Sequence, residues 1–343
     1  MTDEQNARIG SVVAAHRQSM GLTQGAYAAW LNQQTGYSYD RHRVSKWESG
    51  YEQTPEQIRV LIRRSADISR PKTMVTIAVA NQKGGVGKTM LSINLAYYLS
   101  ATLGFRVLLV DSDQQRNASM LAGIDPNILY EREQSKRTLL YALIDECSLP
   151  SIILETPFDN LHIVPAGMSL ATADSRLAAD TKLGNAMLAE QLQKVADVYD
   201  FCIVDCPPNL GMVTVSALKA SNFLLIPTQT EAHPMIAVHE LLATVEAVQR
   251  RVNYDLKVLG IVPTMYMARN TQDQQTLASL SKRYGGRFKI FDPIPRSTLY
   301  GQGAAYSRPT LNIDPLAPGA AVFKGIADNL IAILNLKETH NAT

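Results

Sequence analysis

Short apolar runs alternate with helical patterns through most of the chain after residue 73. Runs of aliphatic and β-branched residues bounded by turn signals are typical of strands buried on both faces of a parallel sheet. Seven runs fit this description: 75–80, 106–110, 161–166, 201–204, 223–227, 258–262 and 290–296. Helical patterns lie between several of them, including a long one that ends at Gln249. The alternation predicts an α/β fold, with a parallel sheet flanked by helices and right-handed crossovers.

Two stretches of this region have weaker patterns. Residues 125–160 are mixed in charge and predict an irregular insertion with one helix near Thr138–Glu146. Residues 171–197 predict one or two helices that end at Asp197.

Residues 1–70 predict a small all-α domain of short helices. Thr23 and Asp40 are of the types that cap helix N-termini, and Pro55 fits the first turn of a helix. Gly36 and Gly50 follow the second and third helical patterns, where glycine commonly ends a helix. The apolar faces contain Ile9, Val12, Val13, Ala26, Tyr27, Trp30, Leu31, Ile58, Leu61 and Ile62. The predicted division is a helical domain at 1–70, a linker at 71–74 and an α/β domain at 75–343.

Composition limits the classes of function. The 343 residues carry a formal net charge of +2, so any nucleic-acid binding has to come from local basic patches. The second half of the chain offers more candidates for such a patch: Arg250, Arg251, Lys257, Arg269, Lys282, Arg283, Arg287 and Lys289. Three cysteines do not form a disulfide framework, and no apolar run approaches the roughly 18 residues of a membrane span. We therefore expect a cytoplasmic protein with buried thiols.

A glycine-rich loop joins the first strand of the α/β region to its first helix. Glycines let backbone N–H groups turn toward phosphate oxygens, and the helix N-terminus adds partial positive charge. Lys88 is expected to neutralise the β and γ phosphates, and the Thr89 hydroxyl is expected to ligate Mg²⁺. The residues predicted to bind ATP here are Gly84, Gly85, Val86, Gly87, Lys88, Thr89 and Met90.

Aspartates follow two of the predicted strands directly. Asp111-Ser112-Asp113 comes after the second run, and Asp205 comes after the run at 201–204. The carboxyl ends of parallel strands face the crevice where ligands bind. Asp205 is therefore expected to hold the hydration shell of Mg²⁺.

These motifs together resemble the ParA/MinD family of ATPases, which have a deviant phosphate-binding loop, over roughly residues 73–335. The resemblance implies that Lys83 reaches the nucleotide of a partner subunit in a homodimer. It implies that Asp113 orients or deprotonates the attacking water and helps to hold Mg²⁺. It also implies that Pro295 and Arg296 contact the adenine ring. Three residues depart from the pattern of the family, namely Gln114 for proline, Asn209 for serine and Gln302 for an acid.

The segments Gly21-Leu22-Thr23-Gln24 and Val44-Ser45-Lys46-Trp47-Glu48-Ser49-Gly50, followed by Pro55, resemble the Cro/repressor-type helix-turn-helix family. The resemblance implies DNA binding by Arg41, Arg43, Ser45 and Lys46 on a recognition helix, with Gln24 holding a phosphate. The stretch between Leu31 and this helix is about six residues longer than the usual turn of 3–4 residues. A helical docking or dimerisation module is the alternative for this segment.

The combined resemblance implies a plasmid-partition ATPase associated with the nucleoid. Such a protein hydrolyses ATP slowly with Mg²⁺, binds DNA non-specifically as an ATP dimer, and is stimulated by a ParB-like partner. Its N-terminal domain would bind an operator and repress the partition genes. The alternative is an ATP-responsive transcriptional regulator without a partition role. A MinD-like membrane positioner is disfavoured because residues 323–343 contain only two lysines, Lys324 and Lys337, and no basic amphipathic pattern.

Two further relatives of the fold explain less of the sequence. A reductase similar to the nitrogenase iron protein needs cysteines at a dimer-face cluster, whereas Cys202 lies inside a strand pattern. A metabolic amide-forming ATPase does not account for the helix-turn-helix resemblance.

Overall fold

A seven-stranded sheet forms the centre of the α/β region in this computed structural model, which describes residues 10–49, 51–52, 54–65, 69–178, 187–230 and 234–336. The strand order is β3-β4-β2-β5-β1-β6-β7, and only the β3–β4 pair is antiparallel. The strands are β1 (Val75–Val79), β2 (Val107–Asp111), β3 (Leu154–Glu155), β4 (Leu161–Val164), β5 (Phe201–Asp205), β6 (Phe223–Gln229) and β7 (Lys257–Thr264). The prediction of a mostly parallel sheet is confirmed.

Helices precede the sheet and lie between its strands. The N-terminal ones are α1 (Gly10–Ser19), α2 (Gln24–Thr35), α3 (Arg41–Ser49) and α4 (Glu56–Ser65). Those of the first half of the α/β region are α5 (Lys88–Tyr97), α6 (Asn117–Leu121), α7 (Pro126–Gln134), α8 (Leu139–Leu143), α9 (Ala173–Ala178) and α10 (Met187–Gln193). The second half has α11 (Met212–Ala220), α12 (Pro234–Arg251), α13 (Thr271–Tyr284), α14 (Thr298–Ala305), α15 (Thr310–Ile313) and α16 (Ala320–Ile333). None of the helices in the described ranges is long and apolar enough to cross a bilayer.

The sheet has a separate apolar core on each face because successive side chains of a strand point to opposite sides. Ile77 and Ile203 belong to the core that includes residues of α5 and α16. Ala78 and Val204, their neighbours along the same strands, belong to the core that includes residues of α11 and α12. Every residue of β1, β2, β5 and β6 is buried, which explains their nearly continuous apolar runs.

The register of the sheet brings two of the predicted carboxylates together. Val79 at the end of β1 pairs with Asp205, and Asp205 in turn pairs with Asp111 on its other side. The phosphate-loop candidate, Asp205 and the Asp111–Asp113 segment therefore leave the sheet at one edge.

The helices α1–α4 have an apolar core of their own, in which Tyr27, Val44, Trp47 and Ile58 are fully buried. The predicted N-caps are confirmed, because the Thr23 hydroxyl accepts from Ala26 N at 3.3 Å and Asp40 Oδ1 accepts from Arg43 N at 2.8 Å. The division into domains at 1–70 and 75–343 stays a prediction.

The turn before α3 is shorter than expected. Helix α2 continues past Leu31 to Thr35 and ends at Gly36, whose φ of 72° is in the left-handed region that favours glycine. The turn is therefore residues 36–40, and the expectation of a much longer connection was wrong. Gly50, expected to end α3, lies outside the described residues, as do the last residues of the chain, 337–343.

Two other expectations were also wrong. Residues 125–160 contain the predicted helix, α8, but they also contain α7 and β3 where an irregular insertion was expected. Residues 290–296 form only isolated bridges, from Ile261 to Ile290 and from Tyr266 to Pro295. The reason lies in Pro293 and Pro295, which have no N–H to donate to a strand ladder. The backbone just before the predicted linker contacts residues far along the chain, because Ser69 N donates to Leu336 O at 2.7 Å.

Candidate active site

The glycine-rich loop lies between β1 and α5, as predicted, and two of its glycines have left-handed backbones. Gly85 has φ of 73° and Gly87 has φ of 85°, conformations that other residues rarely adopt. Lys88, the first residue of α5, is buried, and its Nζ donates to Lys83 O at 3.1 Å. Burial lowers the pKa of Lys88, and the charge of Asp205 opposes this shift. The loop is folded around the lysine that was expected to bind phosphate.

Side chains at the ends of β6 and β7 donate to two carbonyl groups of this loop. Gln229, the last residue of β6, donates from Nε2 to Gly85 O at 2.9 Å. Thr264, the last residue of β7, donates from Oγ1 to Val86 O at 2.8 Å. These bonds satisfy two carbonyl groups of the loop within the protein, and the N–H groups of such a loop are the groups that bind phosphate. Thr264 was not predicted to lie at this site, and the signal in the sequence was a polar residue two positions after the apolar run at 258–262.

Asp205 lies fully buried at the end of β5 with one oxygen paired and the other unpaired. Ser92 donates from Oγ to Asp205 Oδ1 at 2.8 Å, whereas Oδ2 has no hydrogen-bond partner among the described residues. Burial raises the pKa of Asp205 to about 6, and the hydroxyls of Ser92 and Thr89 and the charge of Lys88 oppose the shift. A buried carboxylate oxygen without a partner is costly unless a cation or water satisfies it.

The two aspartates after β2 have different surroundings. Asp111 is fully buried, and its Oδ2 accepts from Ser119 N at 2.8 Å and from Ser119 Oγ at 2.7 Å. Burial and the nearby Asp205 raise the pKa of Asp111 to about 7. Asp113 is half-buried, and its Oδ1 accepts from Gln115 N at 2.9 Å. Asp111 therefore has a structural role, because it holds Ser119 of α6. Asp113 is the carboxylate that faces open space.

That space is a cavity of about 300 Å³ beside the carboxyl ends of β2 and β5. It is lined by Ser112, Asp113, Gln114, Gln115, Leu170, Ala171, Asp174, Pro207, Pro208, Asn209 and Val213. A water molecule and the end of a triphosphate both fit a polar cavity of this size.

These residues fit ATP and Mg²⁺ better than they fit a metal held by the protein alone. Within the described part of the chain, no group of three or more His, Cys, Asp or Glu side chains could hold a metal ion. Mg²⁺ in nucleotide sites is held mainly by phosphate oxygens and waters with one or two protein oxygens. The hydroxyl of Thr89 and the unpaired Oδ2 of Asp205 can supply those protein oxygens.

The remaining predicted nucleotide contacts lie near the loop or near the end of β7. A Cβ placed on Gly87 would lie 3.3 Å from Met90 Cε, so Met90 packs against the loop. Arg296 is exposed, and its backbone N donates to Tyr266 O at 3.0 Å. Pro295 forms the bridge to Tyr266, two residues after Thr264. Contact of Pro295 and Arg296 with adenine stays a prediction.

The predicted DNA-binding residues are placed on α2 and α3. Arg41 and Lys46 are exposed, and Ser45 is half-buried. Arg43 is exposed and pairs with Glu52, whose Oε1 accepts from Arg43 Nε at 2.9 Å. Gln24 donates from Nε2 to Glu48 at 2.7 Å, so a phosphate contact by Gln24 would compete with this bond.

Comparison with known proteins identifies the family to which the chain belongs. A sequence family described as an AAA domain matches residues 74–258. The chain is 37% identical over 257 residues to the sporulation initiation inhibitor protein Soj of Bacillus subtilis, covering 75% of this chain and 98% of that protein. It is 32% identical over 259 residues to the chromosome partitioning protein ParA of Caulobacter vibrioides, covering 75% and 93%.

A solved structure matches as well. It is the cobyrinic acid a,c-diamide synthase from Mycobacterium smegmatis with bound ADP and magnesium, at 30% identity and a TM-score of 0.64, covering 76% of this chain and 96% of that one. The matched family begins at Met74, one residue before β1, so it does not include the N-terminal helices. The chain is an ATPase whose cofactors are ATP and Mg²⁺, and it belongs to the ParA/MinD/Soj-type family of P-loop ATPases.

Proposed function

We propose that this ATPase segregates DNA as a plasmid partition protein and represses its own operon through its N-terminal helices. The relatives named above support the partition role. The observation that carries the finer proposal is α3, a short helix with exposed Arg41, Arg43 and Lys46, which precedes an ATPase of this family. A helix of this kind suits the phosphates and base edges of the major groove. The helical domain at 1–70 is the operator reader in this proposal.

In the ATPase, the loop N–H groups and Lys88 bind and orient the phosphates. Thr89 and Asp205 would hold Mg²⁺, which would neutralise charge on the phosphate oxygens. Asp113 holds the attacking water in the cavity and accepts its proton or orients it. Lys83, whose backbone already contacts Lys88, acts on the nucleotide of a second subunit in a homodimer. The hydrogen bond from Lys88 Nζ to Lys83 O holds the two ends of the phosphate loop together in the absence of nucleotide.

Hydrolysis is slow in the absence of a partner. Asp113 and Lys83 are the catalytic groups of the proposal beyond Lys88, and Lys83 acts only after a dimer has formed. A ParB-like centromere-binding protein raises the rate by fixing these groups around the nucleotide. The ATP dimer binds DNA without sequence preference, which places it on the nucleoid. The eight basic residues singled out in the second half of the chain, from Arg250 to Lys289, are all exposed and support such a surface.

Binding to a random-sequence duplex tests the proposal. The purified protein is titrated without nucleotide, with ADP and with ATP–Mg²⁺ across a salt series. Binding that requires ATP and weakens steeply with salt supports the partition role, because phosphate contacts release counterions. Lys88→Ala is the control, since it is expected to abolish nucleotide binding. Equal affinity for the duplex with and without ATP would instead favour a transcriptional regulator without a partition role.

A second experiment tests the recognition helix. Changing Arg43 and Lys46 to alanine should remove binding to the operator and leave ATPase activity unchanged, since both residues lie on α3 outside the ATPase region. Unchanged repression in this double variant would refute the assignment of α3 and favour a docking or dimerisation module.

A further inference from the structure

A carboxylate from α9 caps a helix to which it does not belong. Gly211 precedes α11 and has no side chain with which to cap it. Asp174 occupies that place, and its Oδ1 accepts from Val213 N at 3.4 Å. A Cβ on Gly211 would lie only 2.1 Å from Asp174 Oδ2, so the absence of a side chain at 211 is what admits the carboxylate. The negative charge also suits the positive end of the helix dipole.

The capped helix begins where the loop after Asp205 ends. Residues 206–211 run from the buried end of β5 to α11. Thr214, in the first turn of α11, donates from Oγ1 to Asn209 O at 2.7 Å. Asp174 therefore fixes the end of a short loop that α11 also holds at Asn209. Removing the carboxylate would free the first turn of α11 and the loop with it.

This loop forms one wall of the cavity that Asp113 faces. Pro207, Pro208 and Asn209 line the same cavity as Asp113, and so does Asp174 itself. Part of the wall of this cavity is thus held in place by a contact from α9. Small displacements of such a wall change how a water is oriented for attack.

The segment that carries Asp174 is held by a similar contact. Glu133 of α7 accepts from Ser169 N at 3.1 Å through Oε1, and a Cβ on Gly167 would lie 1.8 Å from its Oε2. A glycine again admits a carboxylate from another helix. Asp174 therefore has a fixed position from which to hold α11.

We propose that Asp174 is a positioning residue for ATP hydrolysis, which holds the loop Pro207–Gly211 in the conformation that places a water beside Asp113. It acts through the N-terminus of α11. The proposal rests on the role given to Asp113 above, and Asp113→Asn tests that role separately. Loss of hydrolysis in Asp113→Asn supports the role of Asp113. The Asp174 variants test the new proposal, which requires a fall in kcat with little change in KM.

The test is steady-state ATP hydrolysis by the full chain carrying Asp174→Ala. We expect kcat to fall roughly 10- to 100-fold while KM for ATP changes less than about threefold, because the phosphate loop is held by Gln229 and Thr264 and not by this contact. Asp174→Asn keeps a capping side chain and should restore most of kcat. Gly211→Ala expels the carboxylate and should reproduce the loss. The double variant Asp174→Ala with Gly211→Ala should be no worse than either single one, because both remove the same contact.

A matched control separates positioning from lost stability. Asn270 also caps a helix, α13, where its Oδ1 accepts from Gln272 N at 2.9 Å, and α13 contributes no residue to the lining of the cavity. Asn270→Ala should lower the melting temperature by an amount similar to that of Asp174→Ala and leave kcat unchanged. The proposal is overturned by wild-type kcat in Asp174→Ala, by a parallel rise in KM, by failure of Asp174→Asn to restore kcat, or by an equal loss of kcat in Asn270→Ala.

Discussion

The hydrogen bond from Thr264 to the phosphate loop can be removed without changing the shape of the side chain. Thr264 is fully buried, and its Oγ1 donates to Val86 O at 2.8 Å. In Thr264→Val the methyl group replaces the hydroxyl, and a buried carbonyl loses its donor. Such a loss costs about 1–3 kcal/mol. If that free energy is what holds the loop ready for phosphates, affinity for ATP–Mg²⁺ falls roughly 5- to 150-fold.

Calorimetric titration with ATP–Mg²⁺ measures this change. Thr264→Ser keeps the hydroxyl and should bind ATP nearly as tightly as the unchanged protein. Thr276→Val is the matched control, because Thr276 is also buried but its hydroxyl accepts from Gln272 on α13 at 3.4 Å and does not contact the loop. Wild-type affinity in Thr264→Val, or an equal loss in Thr276→Val, would show that the loop does not depend on this bond.

The nucleotide-free protein should become less stable as pH rises from about 4 to about 7, because burial raises the pKa of Asp111 to about 7 and that of Asp205 to about 6. Both carboxyl groups bind protons more tightly in the folded state, so their contribution to the free energy of unfolding is present at low pH and is lost as the pH rises to 7. A denaturation midpoint at pH 8 that equals or exceeds the midpoint at pH 5 would contradict this prediction. A thiol reagent should modify only Cys147 in the native protein, since the other two cysteines are fully buried, and three equivalents should react after denaturation. Arg17→Ala should destabilise α1–α4 by about 1–3 kcal/mol because it removes the charged partner of Glu48 at 2.6 Å and leaves Gln24 as a neutral donor to that carboxylate. Unchanged amide hydrogen exchange in these helices would refute this.

The strongest local patterns predicted the centre of the fold. Strands β1, β2, β5 and β6 are buried on both faces, so their apolar runs were visible in the sequence. The glycine-rich loop and Asp205 were found for the same reason, since each follows such a strand directly.

Contacts that depend on strand order could not be predicted. Gln229 and Thr264 reach the loop only because β6 lies beside β1 and β7 lies beside β6. The capping of α11 by Asp174 joins positions that are 39 residues apart. Helix α7 was not predicted because its sequence is polar. It buries only Leu129, so its apolar residues do not repeat at helical spacing. In each case the tertiary arrangement decides what the local pattern leaves open.

The aromatic core of α1–α4 gives the protein a built-in spectroscopic probe. The chain has two tryptophans, Trp30 and Trp47, and both lie in these helices. Trp47 is fully buried, and Trp30 stacks on Tyr27 at 5.4 Å between ring centroids. Emission excited at the tryptophan band therefore reports the unfolding of the helical part alone, while loss of nucleotide binding reports the ATPase. Two separate transitions in the intact chain would show that it folds as two independent units.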